Sequence, residues 1–264
     1  MKTIILSLLM LFIYSCSPTD INEEQDKTTQ NSFYTKDYYY PVTELDSGKV
    51  YEYVVVHEGK EFISHYWHLQ REQDTNGNIF LIWERYNGLL QKDQYIKEWI
   101  IDDGVITKEY KFFVQDSVTQ DLKEYPNNVS QNVVFPFNAS LDSVMAYRFV
   151  CEMKLPPDFL TSKLIRDRKF GQSTSFNYNG KEVEAIVFTS TDLYDIENKE
   201  EGGFWNVKKA VIEIYAKGIG LVYQEEKTDG IEGSVTSRLR KIYSTLEFNY
   251  LLNTNIKTNP DITN

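Results

Sequence analysis

The sequence predicts a mostly β fold, with antiparallel meander sheets forming a half-barrel, a barrel or a sandwich and one or two short helices. Three observations predict it. Asn-Gly and acid-Gly pairs recur between runs of β-forming residues, and such pairs mark hairpins because glycine accepts the positive φ of primed turns. The chain carries 19 Tyr and 15 Phe against 4 Met, so packing relies on rings, which suit strands. Finally, the strand runs are apolar on both faces, where a sheet with one wet face would alternate cleanly.

Taken in order, the folded region starts near Phe33, and residues 49–115 read as a meander punctuated by Glu58-Gly59, Asn76-Gly77 and Asp103-Gly104. With Glu58-Gly59 as a two-residue loop, Tyr51 faces Tyr66, Tyr53 faces Ser64 and Val55 faces Phe62. Tyr51, Tyr53, Phe62 and Tyr66 then share one face and are the candidate lining of a concave, ring-rich binding surface. Val50, Val54, Ile63, Trp67 and Leu69 fill the other face, with Glu52 opposite His65.

Between residues 116 and 171 the pattern loosens around Pro126, Pro136 and Pro156-Pro157. Ser140 followed by Leu141, Val144 and Met145 caps one expected short helix, and Asp158 with Phe159, Leu160 and Leu164 starts another. Residues 147–155 also fit a strand. Hairpins resume at Asn179-Gly180 and Asp229-Gly230, with 197–203 as an exposed acidic loop. In the strand pattern of Ile214-Tyr215-Ala216-Lys217-Gly218-Ile219-Gly220-Leu221-Val222-Tyr223, Gly218 and Gly220 are expected to be structural, marking a bend, a bulge or a close backbone approach. Tyr223 stands where a dinucleotide fingerprint needs its third glycine, which excludes that reading. The segment resembles the strand-turn-strand of uncharacterised β-rich lipoproteins of Bacteroidota. It is also similar to domains with a half-barrel like that of the periplasmic lipoprotein carriers, and this resemblance implies fold rather than activity.

The first residues set location. Lys2 gives a positive start, and the apolar run at 4–13 is well short of the roughly 20 residues that span a bilayer, so residues 1–15 read as a cleaved signal peptide. Ile13-Tyr14-Ser15-Cys16 resembles a bacterial lipobox. That resemblance implies that Cys16 is lipidated, becomes the first mature residue and anchors the protein in the outer membrane, on the periplasmic face or at the cell surface. Residues 16–32 form the lipidated cysteine and a polar, flexible tether. Asp20, Glu23, Glu24 and Asp26 within it resemble the acidic surface-export signal of Bacteroidota lipoproteins. Residues 33–254 form a single β-rich domain, and 255–264 a frayed tail.

A net charge of −11 excludes nucleic acid as a partner, because an acidic surface repels phosphate backbones. With Cys16 lipidated, Cys151 has no partner in the chain and reads as a small buried hydrophobe. The three histidines, His57, His65 and His68, share no common apex: on a strand His65 and His68 point to opposite faces, so no metal and no cofactor is expected. Nucleophile-elbow, zincin and P-loop motifs are missing, and the adjacent acids Glu200-Glu201 and Glu225-Glu226 read as solvated. No catalytic residue stands out. The expected function is a lipid-anchored envelope protein with a non-catalytic role, binding a hydrophobic ligand or an envelope protein partner. A glycan-acting hydrolase working through two carboxylates is the alternative, and a purely structural part of an envelope assembly a third.

Overall fold

The computed structural model of the chain describes residues 32–57, 60–116, 119, 121–141, 146–155 and 160–258. The expected signal peptide, Cys16, the expected tether to residue 31, Glu58-Gly59, Val144 and Met145 lie outside the described residues, as do Asp158, Phe159 and the residues beyond 258.

The chain is mostly β. Its elements run β1 (Ser32–Tyr34), two 3-10 turns (Lys36–Tyr38 and Val42–Glu44), β2 (Lys49–His57), β3 (Lys60–Gln73), β4 (Ile79–Asn87), β5 (Lys92–Ile101) and β6 (Gly104–Gln115). There follow β7 (Leu122–Pro126), β8 (Asn128–Pro136), β9 (Asn138–Ser140), β10 (Tyr147–Leu155), β11 (Leu160–Tyr178) and β12 (Lys181–Glu197). The last elements are β13 (Phe204–Ala216), β14 (Gly220–Thr228), β15 (Val235–Ser244) and the helix α1 (Thr245–Thr258).

Thirteen strands share one antiparallel sheet in the order β5-β4-β3-β2-β15-β14-β13-β12-β11-β10-β8-β6-β7, and a further β5–β6 pairing closes twelve of them into a barrel. β7 lies on the part of β6 that β8 leaves uncovered: β8 pairs Gly104 to Ile106, β7 pairs Lys111 to Gln115. Because all strands of the ring find both neighbours within residues 32–258, and the main core is drawn from the same residues, the barrel is a self-contained folding unit.

Eight strands make a barrel that side chains can fill, and twelve enclose more space than the wall alone occupies. The segment between β1 and β2 fills one end of that space. Tyr38, Tyr39, Tyr40 and Leu45 are all buried there. Tyr40 meets Tyr51 and Trp83 edge-on at centroid distances of 5.1 and 4.7 Å, and Tyr39 lies 5.2 Å from Phe135. Backbone hydrogen bonds pin this plug to the wall: Thr35 N–H to Phe137 O (2.9 Å), Arg71 N–H to Leu45 O (2.9 Å) and Gly218 N–H to Asp37 O (2.8 Å). Gly218 (φ 71) and Gly220 (φ 102) both adopt left-handed backbone. At Gly220 a Cβ would also lie 2.5 Å from the Tyr40 ring, so this glycine provides both the turn and the room for the plug.

The structure corrects several expectations. Much of 116–171 is barrel wall: β8, β10 and the start of the 19-residue β11 lie in the ring, while β7 pairs with β6 and β9 with β1, and the described residues 160–164 of the second expected helix are strand. Ser140 ends β9, paired with β1, and the residues 142–145 that would carry the first expected helix lie outside the described residues. The Asp103-Gly104 turn is shifted by one residue. Ile101 pairs with Gly104, so Asp102-Asp103 form the loop, and Gly104 is needed because a Cβ there would sit 2.5 Å from Phe135 O. The helix sits at the C-terminus, and its continuation to Thr258 replaces the frayed end expected from residue 255. A capping box starts it: Glu247 accepts from Ser244 N–H (2.7 Å), and Ser244 Oγ accepts from Glu247 N–H (3.2 Å). Phe248 then packs on the outer face of the barrel against Val50 and Tyr66.

Candidate functional site

Above the plug, the barrel encloses a cavity of about 500 Å³, within the range of small-molecule sites. Strand alternation decides what faces it. β5 sends in Gln94, Ile96 and Glu98, β4 Trp83 and Arg85, β3 His65 and Trp67, β11 Leu164, Arg166 and Arg168, and β13 Glu213 and Tyr215. Tyr39 and Tyr40 of the plug complete the closed end. At the other end the lining reaches Val235, which is exposed, and Ser237 and Glu226 beside it, so this end carries the mouth. Phe149, Cys151, Met153 and Leu164 form a small apolar cluster on one wall with Tyr110, Phe112 and Tyr194.

The charges in the lumen are mostly matched. Arg166 donates through Nε and Nη2 to the two oxygens of Asp192 (2.9 and 2.7 Å). Burial opposes the guanidinium's charge, but Asp192 outweighs it and raises the Arg166 pKa. Arg168 pairs with Glu213 (2.6 Å), both nearly solvent-free, and also donates to Val134 O. Arg85 grips Asp93 through two bonds (2.8 and 2.9 Å), and Lys209 holds Glu226 (2.9 Å). His65 is held neutral, its pKa lowered to about 3 by burial and by Arg85.

Glu98 is different. It is buried at the closed end and, among the described residues, has no ion-pair partner; Tyr39 OH donates to its Oε2. Burial pushes its pKa up to about 7, against the opposing pull of Tyr39, Trp83 and Arg168. The Trp83 indole N–H lies near enough to favour the charged carboxyl without closing a well-aligned hydrogen bond.

The structure separates the four candidate ring residues. Between Tyr53 and Val54 the β2–β3 register shifts, with Val54 opposite Ile63 but Tyr53 opposite His65. This bulge turns β3 by one residue beyond Ser64, so Tyr51 faces Trp67, and Tyr66 stands opposite Glu52 on the outer face. Tyr51 and Tyr53 point inward and are consumed by the plug; Tyr53 OH donates to Leu221 O (2.8 Å) and lies 3.2 Å from Tyr40 OH. Tyr66 is covered by α1, its ring 5.2 Å from Phe248, and Phe62 is half exposed at the rim. From this hairpin Val55, Ser64, His65 and Trp67 line the cavity. His68 is on the opposite face from His65, near Glu84 (3.4 Å) and Thr245 (3.2 Å). No group of metal-ligating residues is assembled among the described residues.

The sequence reading passed over Glu98, Arg166, Arg168 and Glu213. The signal was a charge standing in an otherwise apolar alternate row, as in Ile96-Glu98-Ile100 or Leu164-Arg166-Arg168-Phe170.

No protein-family model matches the chain, and no curated protein matches it. Among solved structures, it is similar to a candidate lipoprotein from Parabacteroides distasonis, with 12% identity and a TM-score of 0.50, over 78% of this chain and 97% of that one. It is also similar to a candidate exported protein from Bacteroides fragilis, described as having a YmcC-like fold, with 12% identity and a TM-score of 0.48, over 77% of this chain and 98% of that one. At such identity the likeness to the Parabacteroides protein is one of fold.

Proposed function

We propose that this chain is a lipid-anchored cell-envelope protein whose barrel holds a small, largely apolar molecule in its lumen, without transforming it. One observation carries the reading: a ring-lined cavity of about 500 Å³ is stoppered at one end by the chain's own tyrosines and reaches the surface at the other. Solvent-filled space walled by Trp67, Trp83, Tyr39 and Phe149 gains free energy when an apolar body replaces its water, at about 25 cal/mol per Å² covered. The anchor is assigned to Cys16 from the lipobox resemblance, supported by the fold shared with a candidate lipoprotein. Outer-membrane residence, on either face, belongs to the same reading.

The two-carboxylate hydrolase reading fits less well. It needs a free pair of carboxyl groups across the cavity, whereas among the described residues Glu213 and Glu226 are each held by a cation and only Glu98 is not.

Two experiments test the proposal. Native mass spectrometry of residues 31–264, purified without detergent, is expected to show a co-purifying small molecule or uptake of an apolar fluorescent dye that Trp83→Ala weakens. Failure of both defeats the lumen reading. Replacing Cys16 by Ala is expected to release the protein from membranes, since the acyl chains supply about 0.8 kcal/mol per buried CH₂. Retention of the Cys16→Ala protein on membranes after a high-salt and carbonate wash would defeat the anchor.

A further inference from the structure

We infer that the closed end of the lumen is a site for an organic ammonium group, the charged end of an amphiphile whose apolar body lies along the ring-lined wall, with Glu98 as its counter-ion. This rests on the reading of the lumen as a binding cavity and adds the chemistry of the ligand.

The first observation is the charge inventory. Arg85, Arg166, Arg168 and Lys209 each close on a carboxylate of their own, so a carboxylate or phosphate entering the lumen would have to displace Asp93, Asp192, Glu213 or Glu226. Among the described residues, the one lumen carboxyl without a cation is Glu98. Its Oε2 accepts from Tyr39, while its Oε1 has no well-formed protein donor among the described residues. An ammonium N–H fits that vacancy in the hydrogen bonding, and its charge matches the carboxylate.

The second observation is the wall around that carboxyl. Tyr39, Trp83 and Tyr215 surround the closed end with Glu98, and Trp67 stands edge-on to Trp83 at 5.4 Å. Ring faces carry negative potential and hold desolvated organic cations, which is how aromatic cages take ammonium groups. A neutral headgroup would use the rings but not the carboxyl, and a metal ion would need further ligands that are not gathered there. Arg168 lies nearby, but Glu213 neutralises it at 2.6 Å.

Because burial holds Glu98 near pH 7 between its two forms, the site also carries a pH signature: the carboxylate needed to hold a cation is populated above about 7 and lost below it.

The test compares octylammonium, octanol and octanoate, three probes with one tail and different heads, binding to residues 31–264 by calorimetry and by the fluorescence of the lumen tryptophans. Octylammonium, charged throughout pH 6 to 8, is expected to bind at least tenfold more tightly than the other two at pH 8, and that margin is expected to shrink on lowering the pH to 6. Glu98→Gln, similar in size, should bind octylammonium and octanol alike, while Glu98→Asp, which restores a carboxylate, should keep the preference. A best-bound octanoate, or a preference that survives in Glu98→Gln, would overturn the ammonium assignment while leaving a binding lumen in place. Binding of none of the three by a folded protein would overturn the lumen reading itself.

Discussion

Replacing Glu98 by Gln should stabilise the protein, increasingly so as the pH rises from about 4.5 to about 7. In the unfolded chain this carboxyl titrates near its ordinary value of 4.5, whereas in the barrel burial raises it to about 7. Between those two values the folded state keeps a proton that the unfolded state has released. The stability linked to Glu98 is therefore intact below about pH 4.5, falls as the pH rises, and is gone above about pH 7. The separation of the two values corresponds to about 3 kcal/mol, at about 1.4 kcal/mol per tenfold change in proton affinity. Glutamine keeps the shape and the acceptor that faces Tyr39 OH but does not ionise. Urea unfolding of both proteins at pH 4, 5.5, 7 and 8 should give nearly equal midpoints at pH 4 and an advantage for the Gln variant that grows to about 3 kcal/mol by pH 8, with unchanged slope. A difference that stays flat with pH, or a Gln variant that is the weaker of the two at pH 8, would refute the assignment of Glu98 as an uncompensated buried carboxyl.

Three other outcomes are expected. Gly220→Ala should lower Tm well beyond Gly218→Ala, because both pay about 1 to 2 kcal/mol for left-handed backbone but only at Gly220 does the new Cβ strike the Tyr40 ring; equal Tm losses would contradict the close approach. Phe248→Ala should cost about 3 to 5 kcal/mol and Ser244→Ala about 0.5 to 2 kcal/mol in chemical unfolding, since one removes the anchor of α1 and the other half of its capping box. Cys151, fully buried and with its thiol pushed up to about 12 by burial and by Glu152, should stay unlabelled by a thiol reagent at pH 8 until the barrel is unfolded.

The β class was legible because its signals are local: an Asn-Gly pair needs only its two neighbours to declare a turn, and Asn179 and Gly180 do take the positive φ values, 52 and 78, that a primed turn requires. The site was less legible because faces depend on counting. A single bulge beside Tyr53 reverses the sense of every later position on β3, which moved Tyr66 under α1 and brought Trp67 into the lumen. Closure was out of reach for another reason: β15 pairs with β2 from the other end of the chain and β8 reaches β6 across β7, and no local pattern reports how many strands complete a ring. The helix was within reach, since Ser244-Thr245-Leu246-Glu247 spells the capping box that starts it.

The plug has a mechanical consequence. Tyr38, Tyr39 and Tyr40 are continuous in the chain with β1, so a pull on the protein from its N-terminal side runs straight toward the stopper of its own cavity. What stands in the way is a small clasp: the three residue pairs of β1 and β9, then the Thr35 to Phe137 hydrogen bond. The wall shares that load through Phe33 of β1, whose ring stacks on Phe170 of β11 at 5.1 Å. Tension would therefore be felt first beside Glu98, where Tyr39 is hydrogen-bonded, and the mouth at the far end would be the last part to register it.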